Sequence, residues 1–174
     1  KIISGNMKPI DPGGYDAFIF TSANAIRNLK IKNSDMNKLC FCVGAITEKI
    51  VRNSGYLNTI SAGGTVNALK NLITNSEKIN EKSNIAYFCG DNVSSDLDLE
   101  LKKEGFKIKK IVNYFSEKII ELNDENKKII ENNPPDTIFV YSSRSAQSFT
   151  EIIKNYSLFP LMTESKVMCI SKKV

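Results

Sequence analysis

The feature that most constrains this chain is a local pattern written twice. Residues 15–25 read Y-D-A-F-I-F-T-S-A-N-A, and residues 135–146 read P-D-T-I-F-V-Y-S-S-R-S-A. Each copy has an Asp, an apolar run of strand length and a hydroxyl pair. A small residue follows three positions after the second hydroxyl, from Ser22 to Ala25 and from Ser143 to Ala146. A short apolar run bounded by polar residues reads as a buried parallel strand. The hydroxyls that follow read as the turn that opens a helix. The copies lie about 120 residues apart (Asp16 and Asp136). They predict two similar α/β units, each presenting a Ser at the carboxyl end of a strand, where open α/β sheets bind ligands.

The length of 174 residues allows one domain or two small ones, and two units of half this length would each have a thin core. With 41% hydrophobic and 25% charged residues the chain can bury a core and is not of disordered composition. No apolar run approaches the length of a membrane span. There is no signal-peptide pattern, and because the chain opens on Lys1 rather than Met its true start is expected upstream. The chain contains no His, which excludes Ser-His-Asp and Cys-His catalysis and removes the commonest metal ligand. Cys40, Cys42, Cys89 and Cys169 all lie in apolar runs and read as reduced core thiols of a cytoplasmic protein. Cys40 and Cys42 are two apart, so on a strand they share a face; the spacing is not that of a zinc site. The net charge of +5 is nearly all lysine, with arginine only at Arg27, Arg52 and Arg144. Such an excess suits anionic ligands, but solubility or a base-composition bias accounts for it equally.

Strand and helix signals alternate along the chain. Strands are predicted at residues 1–4, 17–21, 39–43, 57–60, 85–89 and 108–115, the last running long. Helices are predicted at 22–30, 47–53, 66–74 and 97–104, with Gly55 and Gly105 as stop signals. The pattern then resets: a helix at 124–132 broken by Pro134-Pro135, a strand at 137–141, a helix at 146–155 and a strand at 167–170. Strands alternating with helices of about ten residues mean parallel βα units. The last unit stops where a helix should follow, so the chain reads as a fragment or as one with missing ends. The extended segments at residues 1–6 and 108–120 both border the first unit; if they pair, they form a two-stranded connector.

Five segments carry a further signal in their order. They are Y-D-A-F-I-F-T-S-A-N-A-I (15–26), C-V-G-A-I-T (42–47), I-A-Y-F-C-G (85–90), L-K-K-E-G-F-K-I-K-K-I-V-N-Y (101–114) and D-T-I-F-V-Y-S-S-R-S-A (136–146), followed by C-I-S-K-K-V (169–174). Each alone is weak. As an ordered set spanning nearly the whole chain, they resemble the uroporphyrinogen-III synthase family, cofactor-free cyclases of tetrapyrrole synthesis. The resemblance implies an α/β protein of two flavodoxin-like parallel-sheet domains joined by a two-strand connector, with the active site in the cleft between them. Residues 7–113 would be the inserted domain, 1–6 and 114–120 the connector, and 121–174 part of a second domain that is incomplete in this chain. The implied reaction closes hydroxymethylbilane to uroporphyrinogen III with loss of water and inversion of ring D, without cofactor or metal. The implied setting is cytoplasmic and monomeric, with the upstream bilane-forming deaminase as a candidate partner and no nucleic acid or membrane.

These residue types suit that chemistry. The substrate carries carboxylates on every ring, and backbone N–H groups at helix N-termini bind carboxylates. The turns after Thr21, Val43, Cys89 and Tyr141 would present such donors, with Ser and Thr hydroxyls beside them and small residues (Ala23, Gly44, Gly90) that let a ligand approach. Tyr114 is the candidate general acid, because the family pattern has a Tyr there; otherwise it is an ordinary amphipathic Tyr on a strand. Ser22 and Ser143 read as substrate-binding hydroxyls or as helix caps. Thr47 has the same two readings. Ser171 stands where many relatives have Gly, and Val174 where some have Thr. The acidic stretch Asp91, Asp96, Asp98 and Glu100 reads as a solvated helix start, and Lys102, Lys103, Lys107, Lys109 and Lys110 as a solvated face or a steering surface. The competing function is a non-catalytic two-domain binder of an anionic small molecule. A receiver-like signalling domain is disfavoured, because no acidic pair follows an early strand.

Overall fold

Runs such as Ala17–Phe20 and Ile85–Cys89 have no polar face, so they need cover on both sides and belong in the middle of a sheet. The computed structural model describes residues 2–4, 14–27, 29, 36–172 and 174, and places these runs there. The described chain forms two compact units, residues 2–116 and 117–174.

The larger unit runs β1 (Ile2–Ser4), β2 (Ala17–Phe20), α1 (Ala23–Arg27), β3 (Leu39–Cys42), α2 (Ala45–Asn53), β4 (Thr59–Ser61), α3 (Val66–Thr74), β5 (Asn84–Gly90), α4 (Leu97–Lys103) and β6 (Lys107–Ser116). Its six strands lie in the order β1-β6-β5-β2-β3-β4. All pairs are parallel except β1 with β6, where Ile2, Ile3 and Ser4 oppose Ser116, Phe115 and Tyr114. The two bordering segments thus do pair. The described helix α1 ends at Arg27; of its predicted continuation, residues 28 and 30 lie outside the described residues and Leu29 is not helical, and residues 1 and 5–13 also lie outside them.

Strand periodicity divides the core in two. Ala17, Ile19, Phe41, Ile85, Tyr87 and Cys89 pack on one face with Leu69 and Ile73 of α3 and Leu97 and Leu101 of α4. Phe18, Phe20, Cys40, Cys42, Ala86 and Phe88 pack on the other with Ala25 and Ile26 of α1 and Val51 of α2. Phe18, Phe20, Tyr56 and Phe88 form an edge-and-stack aromatic cluster with centroids 5.4–6.3 Å apart; each such pair adds about 0.5–1.5 kcal/mol beyond its burial.

Three expectations are corrected here. The strand expected at 57–60 is Thr59–Ser61, because Leu57 is exposed and its N–H goes to the carbonyl of Met36 instead of a ladder. Cys169 is exposed, unlike the buried Cys40, Cys42 and Cys89. Asp98 is no solvated helix-start residue: it is 6% exposed, with Lys102 and Lys110 at 3.6 and 3.7 Å, so two of the lysines assigned to a solvated face neutralise a buried carboxylate.

The smaller unit comprises α5 (Asp124–Asn132), β7 (Thr137–Val140), α6 (Ser143–Asn155), a 3-10 turn at Phe159–Met162 and β8 (Lys166–Cys169). β7 and β8 pair in parallel, Thr137 with Lys166 through Val140 with Cys169. Only Val140, Ile153 and Leu158 are buried hydrophobics among its described residues. α6 begins three residues earlier than expected because Ser142, not a later residue, caps it: its Oγ accepts the N–H of Ser145 at 3.1 Å. It ends on Ser157 in the left-handed region (φ 56°), with the Leu158 N–H returning to the Ile153 carbonyl at 2.9 Å and the Leu158 side chain buried.

Candidate functional site

Strand order reverses beside β2. The chain runs outward from β2 to β3 and β4, then crosses back to lay β5 on the other side of β2. Open sheets leave a crevice at the carboxyl ends of the two strands that flank such a reversal. The flanking strands end in Thr21-Ser22-Ala23 and in Gly90-Asp91. Their tips are level, because Phe20 lies opposite Phe88 on one side and Cys42 on the other.

At the β2 tip, the Thr21 Oγ1 and the Tyr87 hydroxyl share a hydrogen bond of 3.1 Å. Burial pushes the Tyr87 phenol up to about 12, which leaves it protonated at neutral pH and fixes it as a partner for Thr21. The Ser22 Oγ accepts the N–H of Asn24 at 3.2 Å and its carbonyl accepts the N–H of Ala25, so Ser22 caps the short α1. Ala23 is the first residue of that helix.

At the β3 tip, Gly44 occupies the cap position of α2 and supplies no side-chain acceptor. α3, α5 and α6 are instead capped by Thr65, Asn123 and Ser142. The first-turn N–H groups of α2 are therefore left for another acceptor. A β-carbon on Gly44 would stand 3.3 Å from the Gly64 Cα, so the glycine makes room for the neighbouring loop. Thr47, third in α2, is buried.

At the β5 tip, a loop of six residues separates Gly90 from α4. No helix N-terminus opens there, contrary to expectation. What stands beside Gly90 is Tyr114: β5 and β6 pair regularly to Cys89 with Val112, then slip so that Gly90 opposes Tyr114. The Tyr114 ring is half-buried and packs against the aromatic face of the core. Asp91 fastens this strand end, donating its N–H to the Tyr114 carbonyl at 3.1 Å and accepting the Ser116 N–H on Oδ1 at 3.1 Å. Thr21, Ser22, Ala23, Gly44, Gly90 and Tyr114 thus gather at one edge of this unit's sheet.

In the smaller unit, Ser143 is the first residue of α6 and exposed; the cap is Ser142. Ser171 follows β8 and is exposed, its carbonyl accepting the Val174 N–H at 3.1 Å. Both follow the carboxyl ends of paired strands. Among the described residues no group of three or more His, Cys, Asp or Glu is placed to hold a metal ion, and no helix is long and apolar enough to cross a membrane.

Sequence reasoning missed Tyr87, Asn113 and Ser142. A signal for Ser142 was present: aligning the repeat on Asp16 and Asp136, rather than on the second hydroxyl, pairs Ser22 with Ser142. The Tyr87–Thr21 bond and the slip at Asn113 depend on strand neighbours 66 and 24 residues apart (Cys89 to Asn113) and leave no local mark.

The larger unit is thus a doubly wound α/β sheet with hydroxyls, first-turn amides and a tyrosine collected at its carboxyl edge. Over residues 1–174 the chain matches the family described as uroporphyrinogen-III synthase HemD. It belongs to that family of cyclising lyases of haem biosynthesis. Among solved structures it is similar to the uroporphyrinogen-III synthetase of Helicobacter pylori, at 17% identity and a TM-score of 0.68, covering 100% of this chain and 84% of that one. It is also similar to the wild-type uroporphyrinogen III synthase of the extremely thermophilic bacterium Thermus thermophilus, at 14% identity and a TM-score of 0.52, covering 98% of this chain and 73% of that one. At these identities the likeness shows the fold. No curated protein sequence matches the chain.

Proposed function

We propose that the chain closes hydroxymethylbilane to uroporphyrinogen III, with Tyr114 as general acid. The observation that carries this reading is the half-buried phenol of Tyr114 held at the carboxyl edge of the sheet, in a chain of this family that contains no His. The Tyr114 hydroxyl gives its proton to the terminal hydroxyl of the bilane, the C–O bond breaks, and water leaves. The pyrrole nitrogen's electrons drive that departure and generate an azafulvene. The substituted α-carbon of ring D attacks it to form a spiro intermediate, the bond between ring D and the ring C methylene breaks, the free α-carbon of the inverted ring D bonds to that methylene, and the proton it loses as the pyrrole regains aromaticity returns to the phenolate.

The substrate's carboxylates are taken by the hydroxyl and amides of Ser22 and Ala23, by the first-turn amides of α2 from Gly44 to Thr47, by the strand end at Gly90, and in the smaller unit by Ser143 and Ser171. Uncapped amides bind anions without any added charge. Orientation of the bilane's ends supplies the larger part of the rate, since well-placed reacting groups gain up to about 7–11 kcal/mol. In this reading residues 7–113 form the inserted domain, 1–6 and 114–120 the connector, and 121–174 part of the second domain. The protein works as a cytoplasmic monomer on bilane supplied by the upstream deaminase. The buried thiols, kept away from oxidants by the core, are compatible with a reducing compartment.

Freshly made hydroxymethylbilane supplied to the protein tests the reading by the ratio of type III to type I uroporphyrinogen. Type III in excess is expected. Type I alone, formed at the uncatalysed rate, would reject catalysis and leave an anion binder.

A further inference from the structure

Gly90 ends a central strand that is buried from Ile85 onward, a place where glycine weakens a sheet unless something approaches its backbone closely. Its φ is not in the left-handed region, which among the described glycines is adopted by Gly55, Gly64 and Gly105, so the backbone does not demand it. The reason lies in its neighbour. A β-carbon on Gly90 would stand 2.6 Å from Cε2 of Tyr114, 2.7 Å from its Cζ and 3.0 Å from its hydroxyl oxygen. All three nearest atoms belong to one phenol, lying directly on the Gly90 α-carbon.

The ring is brought there by the slip in β6. Asn113 is the extra residue between the Cys89–Val112 and Gly90–Tyr114 pairs. It is 0% exposed, and its Nδ2 donates to the Ala25 carbonyl of α1 at 2.5 Å. In a regular strand Asn113 and Tyr114 would point to opposite faces. Here Asn113 reaches α1 and Tyr114 packs against the cluster that contains α1's Ala25 and Ile26, so both serve the same face. Bulges re-aim side chains in this way.

We propose that Gly90 and the bulge at Asn113 are positioning residues for the Tyr114 phenol. The bulge turns the ring onto the strand tip, and the absent β-carbon lets it settle there. This rests on Tyr114 being the acid, and the test separates the two ideas. In Gly90→Ala the ring must withdraw by roughly 1 Å to reach ordinary contact distance; it is the free end of a side chain, so the protein folds. A displacement of that size costs on the order of 100-fold in turnover.

The experiment is a double-mutant cycle of Gly90→Ala with Tyr114→Phe, read as kcat and KM on hydroxymethylbilane, with melting followed for every variant. The expected result is a loss of about 100-fold in kcat for Gly90→Ala, and almost no further loss when Phe already occupies position 114. Asn113→Ala is expected to follow the same pattern. An equal loss in both backgrounds, unchanged kcat in Gly90→Ala beside an impaired Tyr114→Phe, or failure of Gly90→Ala to fold overturns the positioning role alone. Full turnover in Tyr114→Phe overturns the acid itself, and the positioning role with it.

Discussion

At the scale of single residues the environment sorts groups that look alike in the sequence. Tyr87 and Tyr114 both sit near strand tips, yet Tyr87 is sealed against Thr21 while Tyr114 is half-open. Tyr114→Phe is therefore expected to lower kcat by about 10²–10⁴-fold, the range of general-acid help, while product affinity measured by equilibrium titration is kept. The four cysteines divide the same way. Burial drives the Cys40 thiol far upward and pushes Cys42 up to about 12 and Cys89 up to about 11, whereas Cys169 is exposed. Iodoacetamide at pH 8 should therefore label Cys169 in the folded protein and spare the other three, with peptide mapping as the check. Glu48 carries the one acid-side prediction. Its carboxylate is held below the usual range by hydrogen bonds from Ser61, Arg52 and Thr59. A depressed folded-state value contributes stability above the unfolded value, and that stability is lost as pH falls through the folded one. Glu48→Gln should thus cost stability at pH 7 and show a shallower loss of melting temperature on acidification than the parent.

Helix and strand ends are the scale at which sequence was most and least readable. The apolar runs, the glycine stops after α2 and α4 and the proline break after α5 located nearly every element, because burial on both faces leaves a plain signature in composition. The edges were harder. Ser142 caps α6 where the neighbouring hydroxyl was read as the functional one, since two adjacent serines differ only in which backbone amide they reach. Ser142→Ala is expected to cost the smaller unit about 1 kcal/mol, read as a shift in its urea midpoint. At the other end of that helix Ser157 holds a left-handed conformation usually left to glycine. Ser157→Gly should raise the same midpoint, by up to about 1 kcal/mol, because relief of backbone strain outweighs the extra freedom gained by the unfolded chain. The bulge at Asn113 was invisible in the one-dimensional text: a long strand was legible, but a slipped rung is a relation between two strands. The edge position of Tyr114 is legible only through the family resemblance, whereas its seat on Gly90 is a contact between neighbouring strands that leaves no local mark in the sequence.

For the molecule as a whole, core is unevenly shared. The larger unit holds both apolar layers, while in the smaller one all four residues of β8 are exposed and only three described hydrophobics are buried. Hydrogen exchange should be slowest at β2, β3 and β5 and fast throughout β7 and β8, with opening energies to match. Phe88→Ala, which removes a ring stacked 5.5 Å from Phe20, should cost the larger unit about 3–5 kcal/mol and leave exchange in α6 unchanged.

The antiparallel rung at Ile2 and Ser116 has a topological consequence. The chain enters and departs from the larger unit at facing residues of one ladder, so its two ends are already arranged as the arms of a hairpin. A two-residue Asn-Gly bridge from Ser116 back to Ile2 would close the circle, and the exposed Glu77–Lys78 turn offers a place to reopen it. A circular permutant cut there should retain the sheet and its far-ultraviolet spectrum.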